Sequence, residues 1–199
     1  ALPILELLRK GEFGVMHGYM NIPELKKVCH SYGVSINEYL VGTYIWSVYT
    51  ECLHGMPSKR PIRVAVPVNL RPYFNSITTK NFFVMVSAEF HPVKDEYTFE
   101  EVLSIVRESL KSQINREHLE KLFSYNVSNE KNLAARAVPL FLKNLAMRYV
   151  YTMSALANTA TVTNIGNISV AEEYKPYVEM FHAFLAMSKG QHLKGTICS

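Results

Sequence analysis

Two short segments carry side chains suited to chemistry. Val66-Pro-Val-Asn-Leu-Arg-Pro72 ends an alternating apolar stretch in Asn69 and Arg71. Arg71 shares a strand face with Asn69 and Ala65, away from the apolar stripe, although an arginine at a strand end is often a surface charge. Thr161-Val-Thr-Asn-Ile-Gly-Asn167 closes a second strand in Thr163 and Asn164 before a glycine turn. Hydroxyl and amide donors placed there could meet a developing oxyanion. Plain turn chemistry accounts for the same residues, because Asn and Gly favour turns.

Other chemistries find little support. The histidines at 17, 30, 54, 91, 118, 182 and 192 form neither HExxH nor HxH. A lone histidine such as His182 in a strand is more often packed or at the surface than a base. Gly11, Gly14 and Gly18 are too irregular for a dinucleotide fingerprint or a P-loop. Cys29, Cys52 and Cys198 are far apart, with no CxxC pair, so no metal site is expected. Of 17 acidic residues only Asp95 is an aspartate, which excludes any mechanism in this chain that needs two aspartates.

Composition bounds the rest. With 199 residues, 48% hydrophobic and 19% charged, the chain can bury a core and is not disordered. A net charge of +4 is too small to argue for nucleic acid. No run of about 18 apolar residues exists, so no membrane span is expected. Sparse cysteines fit a reducing, cytoplasmic setting. Ala1 is not Met, and Leu193–Cys198 stops at Ser199, so both ends read as cuts in a longer chain; a trimmed chain explains them equally well.

The elements that must position these residues follow from caps and periodicity. Asn21, Pro23 and Gly33 frame a first helix whose apolar face is Leu25, Val28, Cys29 and Tyr32. Ser35 and Glu38 form a capping box that opens a helix over Ile36–Leu53, with a stripe of Ile36, Leu40, Tyr44 (with Val41), Val48 and Cys52. Ile62 to Leu70 alternates as a strand with one buried face, at an edge or bulged because Pro67 cannot donate. Asn81 to Phe90 reads as a central strand. Thr98 and Glu101 cap a long helix to about Phe123, with Val102, Val106, Leu110 and Ile114 on one side. Residues 124–131 read as a loop, and 132–153 as helix restarted at Pro139. Thr159–Ile165 is a strand. Tyr177–Met187 and His192–Cys198 read as a hairpin across Ser188–Gln191. The expected fold is α/β, a mixed-sheet two-layer sandwich with helices packed on the sheet, as one domain over residues 1–199.

In order along the chain, Leu25–Leu40, Pro67-Val-Asn-Leu-Arg71, Asn81-Phe-Phe and Thr163-Asn-Ile-Gly166 resemble the second lobe of the chloramphenicol acetyltransferase-like superfamily, which includes condensation domains and alcohol acetyltransferases. The likeness is greatest to bacterial alcohol-acetyltransferase-like proteins. The resemblance implies a single lobe of a two-lobed enzyme with a substrate tunnel between lobes. The first lobe would carry HHxxxD, whose second His is the general base in acyl transfer from a thioester to a hydroxyl or amine. No His-His pair occurs here, so the resemblance implies no catalytic residue in this chain and a missing N-terminal lobe. It makes Arg71 the interlobe partner of that lobe's Asp, and Asn69, Asn81, Thr163 and Asn164 the lining of the substrate cleft. Without that Asp, Arg71 should be solvated or paired elsewhere.

No tightly bound cofactor is implied; acyl-CoA or an acyl-carrier thioester would be a co-substrate. Lys59, Arg60, Lys80, Lys189 and Lys194 are possible neighbours of coenzyme A phosphates, or simply surface lysines. The expected partners are the missing lobe, or a second copy through the exposed interlobe face, besides the small-molecule acyl donor and acceptor. A non-catalytic binding or assembly module of the same fold is the alternative. Nucleic-acid binding by Phe82, Phe83 and Tyr73 is disfavoured by the low net charge.

Overall fold

The structure is a computed structural model that describes residues 14–131, 137–186 and 193–199. The chain is mixed α/β. Helices α1 (Ile22–Ser31) and α2 (Ile36–Cys52) precede strands β1 (Ile62–Asn69) and β2 (Phe83–Phe90). Then come α3 (Phe99–Gln113), α4 (Arg116–Lys131), α5 (Leu140–Ala157), β3 (Ala160–Gly166), a 3-10 helix (Glu172–Tyr177) and β4 (Leu193–Cys198). The four strands form one sheet in the order β2-β1-β3-β4. Residues divide into two compact units, Ala1–Ile62 with Glu89–Glu108, and Arg63–Ala88 with Ser109–Ser199.

The first unit is built from its caps. Asn21 Oδ1 accepts from the Glu24 N–H, and Ser35 and Glu38 exchange both capping-box bonds. Thr98 and Glu101 repeat that exchange at the start of α3. The stripe of α2 differs from the expected one. Val41, Ile45, Val48 and Tyr49 are buried with Gly42, whereas Ile36, Leu40, Tyr44 and Cys52 are only half-buried. This helix is apolar nearly all round, so periodicity alone does not choose its face; Gly42, against Leu103 of α3, lies on the buried side. Tyr49, Phe90 and Tyr97 meet edge to face, with centroids 4.9–5.8 Å apart. Of the expected α1 face only Cys29 is buried; Val28 and Tyr32 are exposed.

In the second unit β1 lies inside the sheet, not at its edge. Arg63 accepts from the Thr159 N–H at 2.8 Å, so odd-numbered residues of β1 turn their backbone groups toward β3. The Leu70 N–H donates to Phe82 O at 3.0 Å, so even-numbered residues turn toward β2. The missing donor of Pro67 therefore faces β3. The parallel register of β1 with β3 pairs Val64 with Ala160 and Ala65 with Thr161, and Pro67 follows just beyond. Proline is tolerated in an interior strand because it sits where pairing with β3 ends.

Strand β2 occupies the edge, contrary to the central position expected. Val84, Val86, Ala88 and Phe90 are buried, whereas Phe83 and Met85 on the other face are about half exposed. The long helix expected to reach Phe123 breaks at residues 114–115. Asn115 Oδ1 accepts from the His118 N–H and starts a separate helix, α4, which runs through the predicted loop at 124–131. Asn115 outcompetes helix continuation because its side chain serves an orphan amide.

The expected C-terminal hairpin is absent from the described residues. Residues 178–186 form no strand, and β4 pairs parallel with β3, from Ala160 with Leu193 through Asn164 with Ile197. Residues 181–186 still run beside β4, where Lys194 Nζ donates to Ala186 O and Cys198 Sγ to Phe181 O. The turn at Ser188–Gln191 lies outside the described residues.

Candidate functional site

All five residues singled out from sequence sit in the second unit, at the end of the sheet where β1 and β3 finish and β2 begins. Asn69 is the last residue of β1, Thr163 and Asn164 lie late in β3, and Asn81 precedes β2. Because β1 and β3 are parallel and adjacent, their carboxyl ends point the same way. The register also puts Ala65 and Thr161 on one face of the sheet, so Asn69 and Thr163, each an even number of residues further on, share it. Asn164 belongs to the opposite, core-facing set with Ala160 and Val162.

Arg71 is exposed, and its guanidinium is engaged by backbone. Nε and Nη2 donate to Thr78 O at 3.3 and 3.1 Å, and Nη2 also to Lys80 O at 2.7 Å. Nη1 donates to Asn69 Oδ1 at 3.3 Å, and the same oxygen accepts the Arg71 N–H at 3.1 Å. Among the described residues no carboxylate pairs with Arg71. The arginine thus ties the end of β1 to the late part of the turn that delivers Asn81, so Asn69, Arg71 and Asn81 form one local assembly. Phe82 continues it inward, edge to face with Phe123 at 5.4 Å.

Asn164 is used differently. Its Oδ1 accepts from the Gly166 N–H at 2.8 Å, Gly166 takes φ +80°, and the register with β4 slips between Asn164 and Gly166. Turn chemistry therefore explains the Asn-Ile-Gly sequence. Thr163 is half-buried and stands beside Thr196 of β4. That neighbouring hydroxyl escaped sequence reasoning, because it depends on the parallel pairing of β3 with β4. Gly195, preceding it, would bring a Cβ to 3.5 Å from Val162 Cγ2, an ordinary contact, so packing does not dictate the glycine.

The remaining candidates are dispersed. His182 stacks on Phe184 with centroids 6.4 Å apart. Lys80 and Lys194 belong to the second unit, Lys59 and Arg60 to the first, and Lys189 lies outside the described residues. A surface pocket of the first unit, lined by Tyr32, Glu100 and Arg107, contains none of the sequence candidates. Among the described residues no cluster of His, Cys, Asp and Glu could hold a metal ion. No helix among them is long and apolar enough to cross a membrane.

No family model matches the chain, and no curated protein matches it. Among solved structures it is similar to the crystal structure of vinorine synthase, with 12% sequence identity and a TM-score of 0.40. The match covers 74% of this chain, which spans 31% of the vinorine synthase chain.

Proposed function

We propose that this chain is the C-terminal lobe of an acyltransferase that moves an acyl group from a thioester, acyl-CoA or an acyl-carrier protein, to a hydroxyl or amine acceptor in the cytoplasm. One observation carries the reading: Asn69, Arg71, Asn81, Thr163 and Asn164, the residues behind the superfamily resemblance, gather at one end of one sheet. The carboxyl ends of adjacent parallel strands are a common place for ligands in open α/β sheets. In the proposed reaction a histidine from an N-terminal lobe takes the acceptor's proton as its oxygen or nitrogen bonds to the thioester carbonyl carbon. Donors at the end of β3, Thr163 foremost, stabilise the tetrahedral oxyanion. Collapse then breaks the carbon–sulfur bond, and the departing thiolate takes up the proton.

The test uses the natural polypeptide. It should carry HHxxxD upstream of Ala1 and release thiol from acyl-CoA or acyl-carrier protein only with an acceptor present. Substituting the second His of that motif by Ala should lower the rate by roughly two to four orders of magnitude, the usual worth of a general base. A natural polypeptide without the motif, or an undiminished rate in the His variant, overturns the proposal in favour of a non-catalytic module.

A further inference from the structure

Thr163 of β3 and Thr196 of β4 are register partners in the parallel pair. Partners across a ladder share one face of the sheet, here the face that also holds Asn69, and both threonines are half-buried. A cross-strand threonine pair commonly satisfies its hydroxyls by bonding them together. This pair does not. Among the described residues neither hydroxyl makes a hydrogen bond, to the other or to backbone.

The spacing suits one acceptor held by two donors. Neighbouring strands lie about 4.8 Å apart, and an O–H···O bond spans about 2.8 Å. An oxygen centred over the pair reaches both hydroxyls when it stands about 1.4 Å above the line between them. A carbonyl oxygen fits that place, because it has two lone pairs and no proton of its own. Strands β3 and β4 carry no carboxylate, and Lys194 shares the face beside Thr161. Negative charge growing on that oxygen therefore meets no repulsion from either strand.

We propose that Thr163 and Thr196 together form a two-donor oxyanion site, which makes Thr196 a catalytic residue contributed by β4. The proposal rests on the acyl-transfer reading and adds a second hydroxyl to it. As the acceptor's oxygen or nitrogen bonds to the thioester carbonyl carbon, the carbonyl π pair moves onto its oxygen, and both hydroxyls donate to it. The pair returns when the carbon–sulfur bond breaks, and each threonine keeps its proton throughout. Position 196 then needs a hydroxyl more than it needs a branched shape.

The experiment is steady-state kinetics of the natural full-length polypeptide and its T196V and T196S variants. Valine keeps the branched shape and the strand preference while removing the donor. T196V should lower kcat about 100-fold, the usual worth of one oxyanion donor, and leave KM for the thioester within about twofold. T196S should restore most of the rate. Urea midpoints near the parent's separate lost catalysis from lost folding, and T196A carries the same expectation should valine unsettle the sheet. An active parent whose folded T196V variant keeps its kcat, loses rate only through KM, or is no slower than T196S overturns the proposal and leaves the acyl-transfer reading standing. A parent that transfers no acyl group from either thioester overturns both.

Discussion

Gln113 holds Ser87 as a neighbouring strand would. Its Nε2 donates to Ser87 O at 2.8 Å, and its Oε1 accepts from the Ser87 N–H at 3.3 Å. The even-numbered residues of β2 turn toward β1, so Ser87 faces the open edge, and the carboxamide at the end of α3 closes that edge at one residue. Ser87 Oγ also donates to Asn158 Oδ1 at 3.2 Å, which ties the end of α5 to the same strand. Unpaired edges invite intermolecular pairing, and a side chain that mimics a strand blunts one.

Replacing Gln113 by Leu leaves both Ser87 groups without their protein partner. Stability should fall by about 1–3 kcal/mol, read as a lower urea midpoint. Light scattering of the folded variant should rise with concentration as the edge of β2 opens. An unchanged midpoint with unchanged scattering would mean that water replaces the carboxamide at no cost.

Arg71 should govern the 72–81 turn. In R71A the amides of Thr78 to Asn81 should exchange with solvent roughly tenfold faster, because bonds from a charged donor to Thr78 O and Lys80 O are lost. R71K keeps one ammonium but not the fork, so its exchange should lie between the two. Exchange in R71A equal to the parent would show that the turn holds itself.

Gly42 is set by packing. A Cβ there would lie 2.6 Å from Leu103 Cδ1, and Leu103 is itself buried. G42A gains about 1 kcal/mol in helix propensity and loses about 1–3 kcal/mol to overpacking, so its urea midpoint should fall slightly. Adding L103A removes the clash, and the cost of the pair should be less than the sum of the single costs.

The Tyr44 hydroxyl is buried and has no hydrogen-bond partner among the described residues. Burial, aided by the charge of Cys52, pushes its pKa from 10.0 up to about 12. The unfolded chain therefore ionises first as pH rises. Stability from the neutral phenol is intact below pH 10 and is lost between 10 and about 12. Y44F should gain about 1 kcal/mol at neutral pH, by removing an unsatisfied polar atom, and should flatten the alkaline limb of a stability–pH curve.

Glu101 contributes to the acid limb, as does Glu117, whose carboxyl the Lys121 ammonium also holds below the ordinary 4.5. For Glu101 the hydrogen bond from Lys94, and then that from the Thr98 N–H, hold the carboxyl below the same value. That contribution is present above the unfolded value and fades as pH falls through the lower folded one. E101Q should shrink the loss of stability on acidification in the same series of denaturation curves.

The sequence by itself determined the parts whose causes are local. Asn21, Ser35 with Glu38, and Thr98 with Glu101 fixed three helix starts, since each cap is completed within four residues. Alternation from Ile62 fixed β1, and the Asn-Ile-Gly turn fixed the end of β3. Asn69, Arg71, Thr163 and Asn164 were legible as strand-end polar groups, and Asn81 only through the family resemblance. Only the tertiary structure decided which strands are neighbours. It made β1 interior by placing Pro67 where pairing with β3 stops, put β2 at an edge closed by Gln113, and paired β4 with β3 in place of a hairpin. It also chose the buried face of α2 and broke the long helix at Asn115. These outcomes depend on groups far apart in the chain, Gln113 with Ser87 or Thr163 with Thr196, and a one-dimensional pattern has no term for pairings whose free energy arises only when distant segments meet.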